Sequence, residues 1–153
     1  MDKLDKIDIA LLNFLQTDAL LTTKELAIRL NLTATPVHER RKRLERDGYI
    51  KKYVAILDNQ KLEKGLTVFC NITLKQHDRA IGTKFVKDIL SLHEVTECYN
   101  VSGDFDFMVK VIVKDMPEYQ NFIMNRLGSI ENIGNTQSVF VMGEIKNSTS
   151  IPL

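Results

Sequence analysis

Apolar residues recur at two different periods along this chain, and the change of period divides it near residue 60. After Asp5, Ile7, Leu11 and Leu15 follow a helical period, which predicts a first helix. From Leu66 to Leu74 apolar and polar residues alternate instead, as they do in a strand with one buried face. We therefore predict a helical domain over residues 1–58, a linker over residues 59–64 and a second domain over residues 65–153.

Two further helices are predicted in the first domain. Thr22 and Glu25 have the spacing of a capping box, which predicts a short helix over Leu26–Leu30. The turn Asn31-Leu32-Thr33 leads to a third helix over Pro36–Asp47, where Pro suits the first turn and the following Gly48 suits the end. Two helices joined by so short a turn form a helix-turn-helix.

The third helix lies in a strongly basic stretch. Thr33–Lys52 contains seven Lys or Arg and three acidic residues, so its charge is +4 in a chain of net charge +1. On this helix Val37 and Leu44 share the core face. The outer face and the residues that follow it hold the predicted DNA contacts: Thr35, His38, Glu39, Lys42, Arg43, Arg46, Lys51 and Lys52. Short polar side chains near the start of such a helix reach base edges in the major groove, and Lys or Arg neutralise phosphates.

The residues after Gly48 alternate in polarity. Tyr49–Ile56 is therefore predicted to form a strand, which would make this domain a winged helix-turn-helix. A basic amphipathic helix taken alone is equally typical of a solvated surface. The cap, the turn, the basic helix and the strand together favour double-stranded DNA as the partner.

The second domain is predicted to have the order β-α-β-β-α-β. Its strands are expected at 66–75, 95–101, 105–113 and 137–145, and its helices at 81–92 and from Asp115 to Gly128. This order is that of a ferredoxin-like domain, and the whole chain falls in the α+β class.

One face of the predicted sheet is apolar where a solvated face is polar. Its apolar residues are Phe69, Met108, Ile112, Phe140 and Met142. Single apolar residues on a surface are normal, but five on one face favour a cover. A second copy of the same sheet is the expected cover, because twofold homodimers are the commonest assembly.

The sequence offers no set of residues typical of an enzyme. His38, His77 and His93 lack metal-ligand spacing, and no nucleophile set or phosphate-binding glycine loop is present. Cys70 and Cys98 both lie in predicted strands, which favours reduced thiols over a disulfide or a metal site. We expect no metal, no cofactor and no catalytic residue. The chain shows neither a leader nor an apolar run of the ~20 residues that span a bilayer, so we expect a cytoplasmic protein without membrane contact.

At several motifs the chain resembles the Lrp/AsnC (feast/famine) regulators. Thr35-Pro36-Val37, Glu39-Arg40, Arg43-Leu44-Glu45 and Gly48-Tyr49-Ile50 are similar to that family's DNA-binding half. Ser102-Gly103-Asp104-Phe105-Asp106-Phe107 resembles the glycine-aspartate turn of its C-terminal domain, and Thr136–Lys146 resembles its closing strand. The resemblance covers almost the entire chain.

The resemblance implies a bacterial or archaeal transcription regulator. Such proteins dimerise through their sheets, often assemble into octamers, and bind an amino acid in clefts between dimers. The effector site carried over to this chain comprises Gly103, Asp104 and Asp106 of the turn with Thr136 and Ser138 of the neighbouring strand. Free backbone N–H groups at a glycine turn suit an α-carboxylate, and an Asp suits an α-ammonium.

Two alternatives stay open at this point. Without the family resemblance, Gly103-Asp104 is an ordinary hairpin turn. An architectural DNA-binding protein that responds to no ligand is the alternative function for the whole chain.

The chain also departs from the family pattern at two places. Arg41 stands where members usually have Val or Ile, beside the core face of the third helix. Either its stem lies along the edge of the core with the guanidinium outside, or the helix is rotated. Phe105 and Phe107 stand where members often have Tyr, so a hydroxyl group is absent there.

Overall fold

A computed structural model of the protein describes residues 4–153, which fall into two compact units. The first unit comprises the described residues up to Ile56 together with Lys146–Leu153, and the second comprises Leu57–Ile145. The tail thus differs from the sequence prediction, which assigned all of residues 65–153 to the second domain. Within the first unit, Gln16 Nε2 donates to the Ile151 carbonyl (2.8 Å) and Ile151 N–H donates to Gln16 Oε1 (2.8 Å).

Three helices form the body of the first unit. Helices α1, α2 and α3 span Lys6–Thr17, Thr23–Leu30 and Ala34–Arg46. Both α1 and α2 begin with a capping box, in which Asp8 N–H donates to Asp5 Oδ1 (2.8 Å) and Glu25 N–H donates to Thr22 Oγ1 (3.2 Å). Their common core consists of Leu11, Leu15, Leu21, Leu26, Ala27, Val37 and Leu44. The predicted helix-turn-helix is therefore confirmed.

The second unit has the predicted β-α-β-β-α-β order. Its elements are β1 (Leu66–Leu74), α4 (Arg79–Leu90), β2 (Val95–Asn100), β3 (Phe107–Val113), α5 (Met116–Asn121) and β4 (Ile133–Phe140). The strands form one antiparallel sheet in the order β2-β3-β1-β4. Alternate residues of β1 and β3 face the helices and are buried, which produces a core with Phe85, Ile89, Tyr119 and Phe122. This is the ferredoxin-like arrangement expected from the sequence.

The predicted wing strand at Tyr49–Ile56 is wrong for the single chain. Residues 51–58 form neither helix nor strand, and Val54 and Ile56 are largely exposed. A strand exists only where another strand accepts its backbone hydrogen bonds, and the described residues offer this segment no such neighbour. Alternation of polarity predicted an extended segment without showing what it would pair with.

The last strand also starts earlier than predicted. β4 pairs with β1 from Ile133 opposite Leu74 to Phe140 opposite Val68, so it ends where β1 begins rather than at Ile145. We call the side of the sheet that faces away from the helices the open face. The register of β4 places other residues on this face than the sequence predicted. Phe140 points to the helix side and contacts the Tyr119 ring edge to face (5.3 Å between centroids).

Two of the five apolar residues predicted for the open face of the sheet therefore do not lie on it. Phe140 lies on the helix side, and Met142 follows the strand and is 97% exposed. Val139, opposite Phe69 on β1, joins the open face instead. The face retains Phe69, Met108 and Ile112, and Lys110 lies opposite Phe69 between the last two.

The helix after β3 is less regular than predicted. Asp115 caps the start of α5, as expected, but the helix ends at Asn121. The chain continues as a π-helical turn over Phe122–Arg126 and a 3₁₀ turn over Leu127–Ser129. Phe122 in the π-helical turn and Leu127 in the 3₁₀ turn are both still buried.

Candidate functional site

The turn before α3 places that helix on the outside of the first unit. Asn31 adopts a left-handed conformation (φ 54°) that ends α2, and the N–H of Leu32 donates to the Ala27 carbonyl (2.9 Å). α3 then starts at Ala34 and buries Val37 and Leu44 completely. The core face predicted from the sequence is thus the face that packs inward.

The opposite face of α3 is open to solvent. Five of the predicted DNA contacts lie on it and are exposed: Thr35, His38, Glu39, Lys42 and Arg46. The positions 35, 38, 39, 42 and 46 share one side of a helix with 3.6 residues per turn. We call these five residues the outer face. Lys51 and Lys52 are exposed in the segment that follows Gly48, whose φ of +80° turns the chain at the end of α3.

Arg43, the remaining predicted contact, is engaged elsewhere. Its Nη2 donates to Asp8 Oδ2 (2.5 Å), and Nη1 of Arg40 donates to Asp8 Oδ1 (2.8 Å) and to Asp5 Oδ2 (2.6 Å). The side chain of Asp8 is 1% exposed. We call Asp5, Asp8, Arg40 and Arg43 the Asp8 cluster. It joins the start of α1 to one flank of α3.

The charges of the Asp8 cluster stabilise one another. The carboxylates of Asp8 and Asp5 raise the pKa of Arg40 through hydrogen bonds. The N–H of Asp8 and the guanidinium of Arg40 lower the pKa of Asp5. Sequence analysis missed this cluster because its two halves are more than thirty residues apart. One signal was available, since Asp8 lies on the same helical face as Leu11 and Leu15, where a buried carboxylate needs a partner.

The structure also decides between the two alternatives for Arg41. The side chain of Arg41 is 22% exposed and runs along the edge of the core, while Val37 and Leu44 keep their inward position, so α3 is not rotated. Its Nε lies 3.2 Å from Glu45 Oε1 and 3.0 Å from Tyr53 Oη, and its guanidinium stacks 4.9 Å from the centre of the Tyr53 ring. We call Arg41, Glu45 and Tyr53 the Arg41 cluster.

The turn after β2 is the predicted effector site. Gly103 has a φ of +107°, and an added Cβ would meet no atom within 4 Å. Asp104 is exposed, and within residues 4–153 its carboxylate takes part in no hydrogen bond or ion pair. The backbone N–H groups of Gly103, Asp104 and Phe105 likewise donate to no described residue. An open turn with unpaired N–H groups is suited to binding an anionic group.

Asp106 differs from Asp104 because its carboxylate is already bound within the unit. It accepts a hydrogen bond from the N–H of Leu74 (2.7 Å) and lies 3.0 Å from His77 Nε2. The bond from Leu74, together with His77, lowers the pKa of Asp106. The Asp106 carbonyl also accepts from the N–H of Val101 (3.0 Å) and from Asn100 Nδ2 (2.9 Å). Asp106 thus closes the base of the turn.

Thr136 and Ser138 do not meet the turn within one chain. The sequence prediction put them on a strand next to it, but β1 lies between β3 and β4 in the sheet. Two strand spacings separate such positions by about 10 Å. Ser138 also faces the helix side, where its Oγ accepts a hydrogen bond from Tyr119 Oη (2.6 Å).

A separate cavity of about 300 Å³ opens at the other side of β1. It is lined by Lys75, Gln76, Ile81, Lys84, Phe85, Glu131 and Asn132. None of the predicted effector residues lines it. Lys84 and Glu131 form an ion pair at its exposed rim.

Comparison with known proteins assigns both units. The family model described as Lrp/AsnC ligand binding domain matches residues 67–151, and the model described as winged helix-turn-helix DNA-binding matches residues 4–51. The leucine-responsive regulatory protein of Klebsiella pneumoniae is 38% identical over 148 residues, which are 97% of this chain and 90% of that protein. The chain belongs to the Lrp/AsnC family.

Other relatives of this Lrp/AsnC protein are similar along their whole length. The DNA-binding transcriptional activator DecR of Escherichia coli K12 is 38% identical over 150 residues, 98% of this chain and 99% of that one. A transcriptional regulator of Neisseria meningitidis, solved as a complex with L-Met, superposes with a TM-score of 0.94 at 31% identity and covers 98% of this chain and 97% of its own. An AsnC family regulator from Agrobacterium tumefaciens superposes with a TM-score of 0.93 at 34% identity, covering 97% of both chains.

Membership in the Lrp/AsnC family establishes the class of function. The protein is a DNA-binding transcriptional regulator that carries a small-molecule ligand-binding domain. The relatives that it matches are regulators, not enzymes. Within residues 4–153, no three His, Cys, Asp or Glu side chains are grouped as metal ligands. No helix in this range has the length and apolar character needed to cross a bilayer.

Proposed function

We propose that this Lrp/AsnC protein binds double-stranded DNA through the outer face of α3. Thr35 and His38 stand near the start of the helix, where they reach base edges, and Glu39 lies beside them. Phosphates are held by the exposed cations Lys42, Arg46, Lys51 and Lys52. The observation that carries this proposal is the exposure of one helical side with these residues while Val37 and Leu44 are fully buried.

We do not propose Arg43 as a phosphate contact, although its charge and spacing predicted one. Its guanidinium is bound to the buried carboxylate of Asp8, and a move to a phosphate would leave that carboxylate with one partner fewer. We assign Arg43 to the support of α3.

We further propose a dimer formed through the open face of the sheet. Phe69 and Val139 lie side by side on that face, and Val139 is 47% exposed. Burying such a patch against a second copy removes apolar surface from water. A dimer presents two α3 helices to half-sites ~34 Å apart, or a multiple of that distance, along one side of the duplex. Further assembly into an octamer extends the same proposal, as does a location in the cytoplasm, where the proposed DNA partner is found.

The effector in this proposal is an amino acid that binds at the turn Gly103–Asp104. The unpaired N–H groups of the turn suit its α-carboxylate, and the exposed Asp104 carboxylate suits its α-ammonium. Asp106 supports the turn from below and makes no direct contact with the ligand. Because β1 separates Thr136 and Ser138 from the turn, any contact from them must come from another protomer, as in a cleft between dimers.

The competing proposal is an architectural DNA-binding protein without a ligand. It shares the outer face of α3 and the dimer, so only the response to amino acids distinguishes the two. The open turn supports the ligand-responsive regulator, because its three N–H groups and its Asp104 carboxylate, none of them bonded to a described residue, match both charged groups of an amino acid.

The test is a DNA titration on the region upstream of the protein's own coding sequence. It is repeated with each of the twenty amino acids and combined with sizing by light scattering. We expect one or a few amino acids to change both the DNA affinity and the size of the assembly. A ligand shifts such an equilibrium only through a difference in affinity between the two states.

The matched variants are Asp104→Ala and Asp106→Ala. Asp104→Ala should abolish the amino-acid response and leave both folding and basal DNA binding intact. Asp106→Ala should instead lower the stability of the second unit, because Leu74 N–H and His77 lose their acceptor. A full response in Asp104→Ala would contradict the proposed site, and no response to any amino acid in the parent protein would favour the architectural alternative.

A further inference from the structure

The two lysines after α3 lie in a segment that has no secondary structure of its own. Every residue from Lys51 to Gln60 is exposed, and residues 51–58 belong to no helix or strand. Such a segment samples many conformations when nothing holds it. Ordering such a segment on the duplex costs conformational entropy, so lysines on a free segment contribute little to the affinity for DNA.

The Arg41 cluster attaches this segment to α3. The Tyr53 hydroxyl accepts a hydrogen bond from Arg41 Nε (3.0 Å) and donates one to Glu45 Oε1 (2.9 Å). Arg41 Nε also pairs with Glu45 Oε1 (3.2 Å), so the three polar groups form a closed triangle. Tyr53 stands directly after Lys52, and the triangle therefore fixes the segment at the point where the lysines are.

The anchor of the cluster is itself well held. Arg41 Nη1 points to the Leu21 carbonyl in the loop between α1 and α2 (3.5 Å), and its guanidinium covers the face of the Tyr53 ring. A cation over an aromatic ring is attracted by the negative face of the ring. The pKa of Tyr53 is raised by burial and by its bond to Glu45, so the hydroxyl remains protonated and keeps donating at neutral pH.

We propose that Arg41 is a positioning residue for DNA binding, which holds Lys51 and Lys52 beside α3 through Tyr53 so that they meet the duplex together with the outer face. The inference rests on the proposed DNA contact of these lysines. Arg41 itself is 22% exposed and directs its guanidinium to Tyr53, Glu45 and Leu21. It acts on DNA only through the lysines. Val or Ile at this position has neither the donors nor the charge to form the triangle.

The experiment is a double-mutant cycle on DNA affinity. Arg41→Met is measured in the parent protein and in the Lys51→Gln/Lys52→Gln background, on the same duplex from the upstream region and at one fixed salt concentration. In the parent, Arg41→Met should weaken binding by ~10-fold, the equivalent of ordering about one residue. In the Lys51→Gln/Lys52→Gln background it should change the affinity by less than ~2-fold, because the two lysines that Tyr53 holds are absent.

Two further variants separate positioning from a direct charge effect. Arg41→Lys keeps the charge and loses the guanidinium, and it should weaken binding nearly as much as Arg41→Met. Tyr53→Phe removes only the hydroxyl and should weaken binding to a smaller extent. Arg29→Met is the matched control, because Arg29 also stacks on an aromatic ring of the first unit (5.5 Å from Phe14) and stands outside the proposed contact set.

Four outcomes overturn the inference. Equal losses from Arg41→Met in the two backgrounds would show that Arg41 contacts DNA directly, as would full affinity in Arg41→Lys. A lower melting temperature of Arg41→Met with unchanged affinity would show a role in folding alone. If the parent binds the duplex and Lys51→Gln/Lys52→Gln binds equally well, the lysines have no role to position. If the parent binds no duplex, the proposed function itself fails, which is a different result.

Discussion

The two flanks of α3 each carry an arginine cluster, and the clusters differ in where their carboxylate lies. In the Asp8 cluster the carboxylate is 1% exposed and belongs to another helix. In the Arg41 cluster the carboxylate of Glu45 is 26% exposed and belongs to α3 itself. Arg43 and Arg41, two positions apart in sequence, therefore have different structural roles. One flank joins α3 to the body of the unit, and the other holds the segment that follows it.

Because the two carboxylates differ in burial, we expect loss of the two clusters to change the free energy of unfolding by different amounts. Removing the partners of a buried charge leaves that charge uncompensated, which is strongly destabilising. Breaking an exposed ion pair changes stability little, because water and salt replace the lost interaction. We therefore expect the Asp8 cluster to affect folding and the Arg41 cluster to affect the DNA contact.

The largest effect is predicted for the double variant Arg40→Met/Arg43→Met. It leaves the Asp8 carboxylate buried without a cation, and we expect a loss of about 3–5 kcal/mol in the free energy of unfolding. The measurement is urea denaturation of the full chain, followed by the helical circular dichroism signal. Arg46→Met is the control, because Arg46 pairs with Asp47 and its side chain is 74% exposed. A loss in the double variant no larger than the roughly 0.5 kcal/mol typical of an exposed pair would contradict the comparison.

The smallest effect is predicted for the Arg41 cluster at alkaline pH. Because the pKa of Tyr53 is raised by burial and by Glu45, the folded state favours the protonated phenol. The corresponding stability is present below the ordinary tyrosine pKa of about 10 and is lost as the pH rises through the raised value. The measurement is an absorbance titration at the tyrosinate band of the parent protein and of Tyr53→Phe. The difference between the two curves should therefore show one phenol whose pKa lies above the usual range of tyrosine. Ionisation at or below that range would show that Tyr53 is not held in the cluster.

Local patterns were sufficient to predict the elements that contain their own signals. The capping box of Thr22 and Glu25, the core pair Val37 and Leu44, and the alternation of β1 all depend on residues close in sequence. These features predicted the helix-turn-helix and most of the sheet correctly. They also predicted which residues of α3 are exposed, because these lie on the side of the helix opposite to Val37 and Leu44.

Features that depend on distant partners were not predictable in this way. The segment predicted as a strand at Tyr49–Ile56 has no strand to pair with among residues 4–153, and the face on which each β4 residue lies depends on how β4 pairs with β1. The bond from Arg43 to Asp8 spans 35 residues, so charge alone assigned Arg43 to DNA. At the turn, sequence did not distinguish Asp104, whose carboxylate bonds to no described residue, from Asp106, which accepts a bond from Leu74.

We propose that the outer face of α3 binds DNA, whereas the Asp8 cluster on one flank of α3 holds the helix in place. The most direct test compares Lys42→Gln with Arg43→Gln, two single-charge changes at adjacent positions, in titrations of one duplex over a range of salt concentrations. We expect Lys42→Gln to flatten the slope of log K against log salt by about 0.9, the value for one phosphate contact. Arg43→Gln should leave that slope unchanged. Equal flattening by both variants would contradict this assignment, because it would put Arg43 on the DNA with Lys42.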